Sequence, residues 1–330
     1  MAIRLHSVST TILLVSLCIG PTLREAAAAP ALEKLHVGIS NFSPSYASIF
    51  IAHKRGFYAE EGLAVEIVLI PGLLSTRALI GGSVDFASAS NPNAAVQGAM
   101  LKMLMVFNDK PTGTLFAQPG IKMVEALRGK KIGGSTVGSL EYGWLKELMP
   151  KFGLSLERDM TFLAIGPTAA RFTAMRSRSI DATILSPPSS FLAQDEGFSM
   201  LARVADYLED IQASIVATDD KLTRQTDQVL RFLRATVKGQ RFYLSRRREA
   251  IAAIMEFTRT NDPLLMGRIY DNHMTTVARD GTIPEHLQRI VIDRSKRMVG
   301  VAREVRLEEI FDFSYLRRAD AEIDRSGWRP

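Results

Sequence analysis

The feature that most constrains the fold is an alternation of short apolar runs with helical stretches, and this pattern occurs twice along the chain. "VGISN" from Val37 lies against "IGGST" from Ile132 at an offset of 95 residues, and "ALIGGSVDFA" from Ala78 lies against "AMRSRSIDAT" from Ala174 at an offset of 96. Alternating strands and helices predict an α/β fold with mainly parallel sheets. Two matches at nearly the same offset favour a pair of similar lobes over a single sheet.

Short apolar runs bounded by Gly, Pro or Ser mark the predicted strands. After about Ser214 the pattern changes, and beyond one more strand-like run the chain is mostly helical, with apolar spacings that suit helices packed on a core. The segments that contain the predicted strands are 35–40, 64–72, 84–90, 102–108, 129–139, 160–168, 180–190 and 213–220.

The N-terminus has the features of an export signal. Arg4 supplies a positive charge, Thr11 to Gly20 form an apolar segment, and small residues follow at Ala26 to Pro30. The apolar segment is shorter than the ~20 residues that span a bilayer, so a cleaved signal is favoured over an uncleaved anchor. We expect residues 1–29 to be the signal peptide, cleaved between about Ala27 and Ala29, and the mature protein to be periplasmic or otherwise secreted.

Composition excludes several classes of function. The one cysteine, Cys18, lies inside the predicted signal, so the mature chain lacks disulfides, thiolate metal sites and cysteine nucleophiles. The net charge of +6 is modest and spread along the chain, and "RRR" at 246–248 suits a solvated helix face better than a nucleic-acid patch. No nucleic-acid partner is expected.

Catalytic motifs are missing from the sequence. It has no P-loop, G-x-G-x-x-G, G-x-S-x-G or H-E-x-x-H motif. The five histidines are isolated and favour surface or packing roles over metal binding. Asp85 and Asp181 occupy equivalent places before predicted strands, which favours a structural role over a catalytic pair. We therefore expect no enzyme activity, no cofactor and no metal.

The loops after the predicted strands are the candidate binding site, because ligands of open α/β sheets bind beyond the carboxyl ends of the strands. They are rich in small hydroxyl and amide side chains with Gly and Pro. Such residues cap helices and leave N–H groups that attract anions or polar oxygens. Capping explains any single loop, but a set that converges between two lobes predicts a cleft. These loops are 40–43, 71–73, 88–91, 135–139, 166–168 and 186–188.

Five segments stand out in order along the chain: "GFYAEEGLAVEIV", "ALIGGSVDFA", "ALRGKKIGGSTVGS", "AMRSRSIDATILSPP" and "FLRATVKG". In this order they resemble the periplasmic solute-binding proteins of ABC importers, type II, in the branch shared by sulfonate, nitrate and taurine binders and thiamine-precursor (NMT1/THI5-like) binders. The resemblance runs from about Leu35 to Leu316. An enzymatic branch of that family carries a cysteine-rich motif, which this mature chain lacks.

The resemblance implies a clamshell of two lobes that closes on its ligand. Lobe I would comprise 30–115 and 215–330, lobe II 116–214, and a pair of crossing strands near 112–119 and 211–218 would join them. No dedicated arginine stands out for a sulfonate, although Arg77 and Arg171 lie near loops. The ligand-binding residues implied are Ser40, Asn41, Phe42, Gly72, Leu73, Ser88, Ser90, Asn91, Thr136, Val137, Gly138, Ser139 and Ser186.

The function implied is that of an extracytoplasmic receptor, acting as a monomer, that delivers a small ligand to an ABC permease and its ATPase. The ligand class left open is a sulfonate- or nitrate-like anion or a pyrimidine-type compound. The alternatives are a free-standing sensor for a signalling partner and, less favoured, a pyrimidine-synthase-like enzyme. For the loop 136–139 we expect Gly138→Leu to block the cleft without unfolding the protein, and Ser139→Ala to cost ~1 kcal/mol of binding.

Overall fold

The computed structural model describes residues 31–70 and 74–330. The expected signal peptide with Cys18, and the candidate residues Gly72 and Leu73, lie outside the described residues. The described chain from Leu32 to Pro330 forms one compact unit. No helix in the described part is both long and apolar enough to cross a membrane.

The first sheet has five strands in the order β2-β1-β3-β10-β4. The first three strands are parallel to one another, and β10 runs antiparallel to both β3 and β4. The bounds are β1 (Glu33–Ile39), β2 (Leu63–Leu69), β3 (Phe86–Ala89), β4 (Leu101–Val106) and β10 (Ser214–Thr218).

The second sheet repeats this arrangement in the order β7-β6-β8-β5-β9. Strands β6, β7 and β8 are parallel, and β5 runs antiparallel to β8 and β9. The predicted fold class, two similar and mainly parallel sheets followed by a helical part, is confirmed. The bounds are β5 (Thr114–Ala117), β6 (Lys131–Gly134), β7 (Thr161–Ala164), β8 (Ala182–Leu185) and β9 (Ser199–Arg203).

The repeated aspartates hold equivalent strands together. Asp85 Oδ2 accepts a hydrogen bond from His36 N at 2.8 Å, and Asp181 Oδ2 accepts one from Lys131 N at 2.8 Å. The backbone N–H groups of the two aspartates donate in return to the carbonyls of His36 and Lys131. Each aspartate thus fixes the start of β3 or β8 against its neighbour, which is the structural role expected from the sequence.

Helices cover both sheets, and those after β10 extend the core of the first sheet. Helix α10 packs on α1 so closely that a Cβ at Gly239 would collide with the Ser48 carbonyl oxygen. The helices described are α1 (Ala47–Lys54), α2 (Phe57–Glu60), α3 (Leu74–Ile80), α4 (Asn93–Val96), α5 (Leu140–Leu148), α6 (Leu156–Asp159), α7 (Thr168–Arg176), α8 (Ser189–Asp195), α9 (Asp219–Arg224), α10 (Thr226–Ser245), α11 (Arg247–Thr258), α12 (Pro263–His273), α13 (Glu285–Val299), α14 (Leu307–Ile310) and α15 (Ser314–Arg325).

The chain passes between the sheets twice, after β4 and before β10. The two connecting segments are hydrogen-bonded to each other: Thr112 N donates to Gln212 Oε1 at 2.7 Å, and Gln212 N donates to the Asn108 carbonyl at 3.1 Å. The predicted lobe boundary after residue 115 falls inside β5, whose four residues all pair within the second sheet. The division into lobes stays a prediction.

Candidate ligand-binding cleft

On the first sheet, the loop after β1 is joined to the end of β3 through side chains. Ser40 N donates to Ser88 Oγ at 3.1 Å, and Ser40 Oγ lies 2.8 Å from the Tyr46 hydroxyl. Ser88 and Tyr46 are buried, whereas Ser40 is partly exposed. Ser88 is therefore a buried partner that fixes the backbone of the loop at Ser40. Ser40, Ser88 and Tyr46, the last of which the sequence did not single out, form a polar group called here the Ser40–Tyr46 cluster.

The exposed side chains of the loops after β1 and β3 are apolar or carry amide groups. Phe42 is 45% exposed, with its ring centroid 5.2 Å from that of Phe257 in α11. Asn41 is exposed, and Ser90 and Asn91 are partly exposed. Asn91 Oδ1 accepts from Asn93 N at 3.2 Å, a local bond that orders the start of α4.

On the second sheet, the loop 135–139 lies between β6 and α5. Thr136 and Val137 are exposed, Val137 to 66%, and Ser139 is partly exposed. Ser139 caps α5, since its side chain accepts a hydrogen bond from Tyr142 N at 3.3 Å. The effect of Ser139→Ala on binding is therefore joined to a loss of helix stability of ~1 kcal/mol.

Gly138 has open space around its missing side chain but a left-handed backbone with φ of +83°. A leucine there carries a conformational cost of ~1–2 kcal/mol even without a clash. Gly138→Leu thus alters backbone energy as well as access to the cleft, so substitution of the exposed Val137 tests the loop more cleanly. Ser186, partly exposed after β8, accepts from Ser190 N through its carbonyl.

Arg171 in α7 connects the loops of the second sheet. Its side chain is 1% exposed, and its terminal nitrogens donate to the carbonyls of Gly166 (2.7 Å) and Ile184 (3.2 Å) and to Thr168 Oγ1 (3.1 Å). Arg171 Nη2 also lies 3.5 Å from Glu141 Oε1 in the first turn of α5. The residue holds the ends of β7, β8 and α5 together from inside the protein.

Two contacts show that the loops of the two sheets approach each other. Met298 in α13 accepts from Asn93 Nδ2 at 3.3 Å, and its Cε occupies the place of a Cβ at Gly143 in α5. Burial raises the pKa of Tyr46, hydrogen bonds to Ser40 and Ser88 oppose the rise, and the Glu141 carboxylate adds to it. The Met298 contacts therefore bring the starts of α4 and α5 to the same side chain of α13, and the space between these two sets of loops is the candidate cleft.

Ion pairs join the C-terminal helices to helices that follow strands of the second sheet. Arg268 in α12 donates through both terminal nitrogens to Asp195 in α8, at 2.9 and 3.1 Å, and lies over the ring of Phe191. Arg294 in α13 binds Glu147 in α5 at 2.8 Å and Asp210 at 2.7 Å. The first pair is exposed, whereas Arg294 and Asp210 are buried.

Within the described residues, no group of three His, Cys, Asp or Glu side chains is placed to hold a metal ion. His273 is fully enclosed, with Nδ1 2.6 Å from the Tyr243 hydroxyl and Nε2 2.8 Å from Asn108 Nδ2. This histidine packs the C-terminal helices against the first connecting segment and does not face the loops of the cleft.

Solved structures show which fold this is. A protein of Bordetella bronchiseptica RB50 matches at 21% identity and a TM-score of 0.77, over 88% of this chain and 98% of its own. The alkanesulfonate-binding protein SsuA of Xanthomonas axonopodis pv. citri, bound to MOPS, matches at 19% and 0.70, over 87% and 100%. The periplasmic nitrate-binding protein NrtA of Synechocystis PCC 6803 matches at 13% and 0.70, over 90% of each chain. The chain has the periplasmic-binding-protein fold.

The family follows from the sequence match. The model of the NMT1/THI5-like family covers residues 43–250, more than half of the chain, and the chain belongs to that family. A search of curated protein sequences gave no match. SsuA and NrtA are named as binding proteins and not as enzymes, in agreement with the expectation that this chain is not an enzyme.

Proposed function

We propose that the protein is the extracytoplasmic solute-binding receptor of an ABC importer. It binds a small organic ligand between the loops of its two sheets and delivers it to a membrane permease and its ATPase. The sequence left a sulfonate- or nitrate-like anion and a pyrimidine-type compound open as ligands. The observation that carries the proposal is the pair of contacts of Met298 with Asn93 at the start of α4 and with the Cβ position of Gly143 in α5, which supports a site between the strand-end loops of two similar sheets.

A receptor of this kind gains contacts from both sheets only when the cleft is closed. A ligand that binds the closed form better shifts the population toward it. The proposed contacts are the exposed members of the loops, among them Phe42 and Val137, with Ser88 acting through Ser40. Export across the inner membrane by the expected signal peptide fits this role.

The first test identifies the ligand and follows closure. Mass spectrometry of compounds released from protein purified after export names the ligand, and small-angle scattering compares the radius of gyration with and without it. We expect a smaller radius at saturation, and stimulation of the cognate ATPase in liposomes that contain the permease. A bound compound that leaves both the radius and the ATPase rate unchanged argues against a transport receptor.

A matched pair of variants locates the site. Val137→Asp places a charge in the loop after β6, whereas Met123→Asp changes another exposed apolar side chain on the same half of the molecule. We expect Val137→Asp to weaken binding of the recovered ligand at least tenfold and Met123→Asp to leave it within twofold of the parent, by calorimetry at about 25 °C. Equal affinities would place the site elsewhere.

A further inference from the structure

We propose that the contact of Met298 in α13 with Gly143 in α5 and Asn93 in α4 is a clasp: it forms when the cleft closes and separates when the cleft opens. Arg294, one turn earlier in α13, stays bound to α5 and acts as the pivot. This inference rests on the proposed receptor function and concerns the regulation of that same site. It assigns to the clasp the balance between the open and closed forms, set from outside the loops that bind the ligand.

The clasp joins two separate hydrophobic cores. Val291 and Ile292 of α13 lie in the core that covers the first sheet, whereas Leu145 and Leu148 of α5 lie in the core of the second sheet. A change in the relative position of the two sheets therefore moves α13 against α5. Side chains of the two helices meet at two places, four residues apart on each helix: 294 with 147, and 298 with 143.

At residue 294 the helices are held by buried charges. Arg294 binds Glu147 of α5 at 2.8 Å and Asp210 at 2.7 Å. Asp210 lies in the second connecting segment, is 2% exposed, and accepts a hydrogen bond from the Trp144 indole of α5 at 2.6 Å. Both helices are thus bound to one carboxylate in a segment that passes between the sheets. Separating them there would leave buried charges without partners, so this end stays together as the sheets move.

At residue 298, one turn further, the contacts are weaker. Met298 accepts a hydrogen bond through its sulfur, a weak acceptor, from Asn93 Nδ2 at 3.3 Å. Asn93 Oδ1 is enclosed and has no partner among the described residues, which costs free energy as long as the clasp is formed. Water reaches that oxygen when the clasp separates. This end of the interface therefore opens at a lower cost than the end at Arg294.

The clasp also explains a glycine inside a helix. Gly143 is the fourth residue of α5, a position where glycine is less favourable than alanine. A Cβ at this position would lie 2.3 Å from Met298 Cε, the one atom outside the backbone of α5 found within 4 Å of it. The absence of a side chain at Gly143 thus makes room for a residue of the other core and for nothing in its own.

The experiment changes the clasp in both directions and measures the radius of gyration by small-angle scattering, on mature protein without ligand. Gly143→Cys with Met298→Cys, in a chain expected to have no other cysteine after cleavage, allows a short thiol cross-linker to hold the clasp together. Gly143→Leu overpacks the clasp, and we expect it to raise the ratio of open to closed protein about fivefold or more. Adding Met298→Ala to Gly143→Leu vacates the space that the leucine needs and should restore the radius of the parent.

The control is a second helical glycine. Gly267→Ala in α12 adds a Cβ whose nearest neighbour, Arg247 Nη2, is 3.5 Å away, so it should not change the radius. Circular dichroism confirms that each variant is folded. The cross-linked protein is compared with the same protein after a reductant has removed the linker.

One of the two changes responds whichever form predominates in the parent. If the parent is mainly open, cross-linking gives a smaller radius; if it is mainly closed, Gly143→Leu gives a larger one. No change in either, a larger radius on cross-linking, a smaller radius in Gly143→Leu, or a change that persists with Met298→Ala overturns the clasp. The receptor function is tested separately, by the recovered ligand and the ATPase, so a failure there leaves the result on the clasp unaffected.

Discussion

At the scale of single residues, Arg171 is a buried charge bound to the ends of three loops. Arg171→Leu leaves the carbonyls of Gly166 and Ile184 and the Glu141 carboxylate without their partner. We expect a loss of ~3 kcal/mol in the free energy of unfolding, measured by urea denaturation, as for a broken buried ion pair. Arg176→Leu, on the same helix but exposed and paired with Glu196 at 3.1 Å, should cost under ~1 kcal/mol. Similar losses in both variants would mean that Arg171 does not organise the loops.

His273 makes stability depend on pH. Burial lowers its pKa from 6.5 to about 3. The unfolded chain therefore binds more protons than the folded protein between these values, so His273 contributes stability that is present above about pH 6.5 and is lost as the pH falls toward about 3. We expect His273→Gln to reduce the slope of unfolding free energy between pH 4 and 6 by up to ~1.4 kcal/mol per pH unit.

The reference for this titration is the parent protein, unfolded in the same series of buffers. If His273→Gln keeps the slope of the parent, the imidazole is not held neutral by the fold.

At the scale of elements, the two aspartates before β3 and β8 offer a comparison inside one molecule. Asp181→Ala removes the hydrogen bond from Lys131 N, at an expected cost of ~1 kcal/mol. Asp85→Ala removes the equivalent bond and also leaves the buried ammonium of Lys221, 2.9 Å away, without its carboxylate. We expect the second variant to cost more, by ~1–3 kcal/mol in urea denaturation.

A double variant separates the two contributions of Asp85. Asp85→Ala combined with Lys221→Met should lose less than the sum of the single changes, because the unpaired ammonium is then absent. Strict additivity would show that the ion pair contributes nothing and that both strand starts are held by the aspartate–backbone bond alone.

At the scale of the whole molecule, the exposed Arg268–Asp195 pair joins α12, in the C-terminal helical part, to α8, which follows β8 of the second sheet. Asp195→Asn should weaken the closed form by up to ~1 kcal/mol, the range of exposed ion pairs. We expect a larger radius of gyration for the unliganded variant in small-angle scattering at low salt, and a smaller difference from the parent at high salt. Asp271→Asn, which breaks the equally exposed Arg247–Asp271 pair within the C-terminal helices, should not change the radius.

The strands that the local pattern predicted have local signals, and β5 and β9 do not. Segments such as 35–40 and 102–108 are apolar runs bounded by turn residues, so the pattern and its flanking residues suffice to predict a strand. Strand β9 was not predicted, and β5 falls in the segment 112–119, where only the family resemblance implied a crossing strand. They exist because β5 pairs antiparallel with both β8 and β9. The partners that stabilise them come from distant parts of the chain, which no local pattern records.

The sequence alone determined the repeated α/β plan, the structural role of Asp85 and Asp181, and the family, because these depend on spacing and on residue type at each strand. It pointed to the loops after the strands, but the ligand contacts within them stay a prediction. Only the tertiary structure decided which charged side chains near the loops are accessible: Arg171 is buried, whereas Glu141, 3.5 Å from it, stays partly exposed. The sequence could not separate these two cases, because burial is set by packing between segments far apart in sequence.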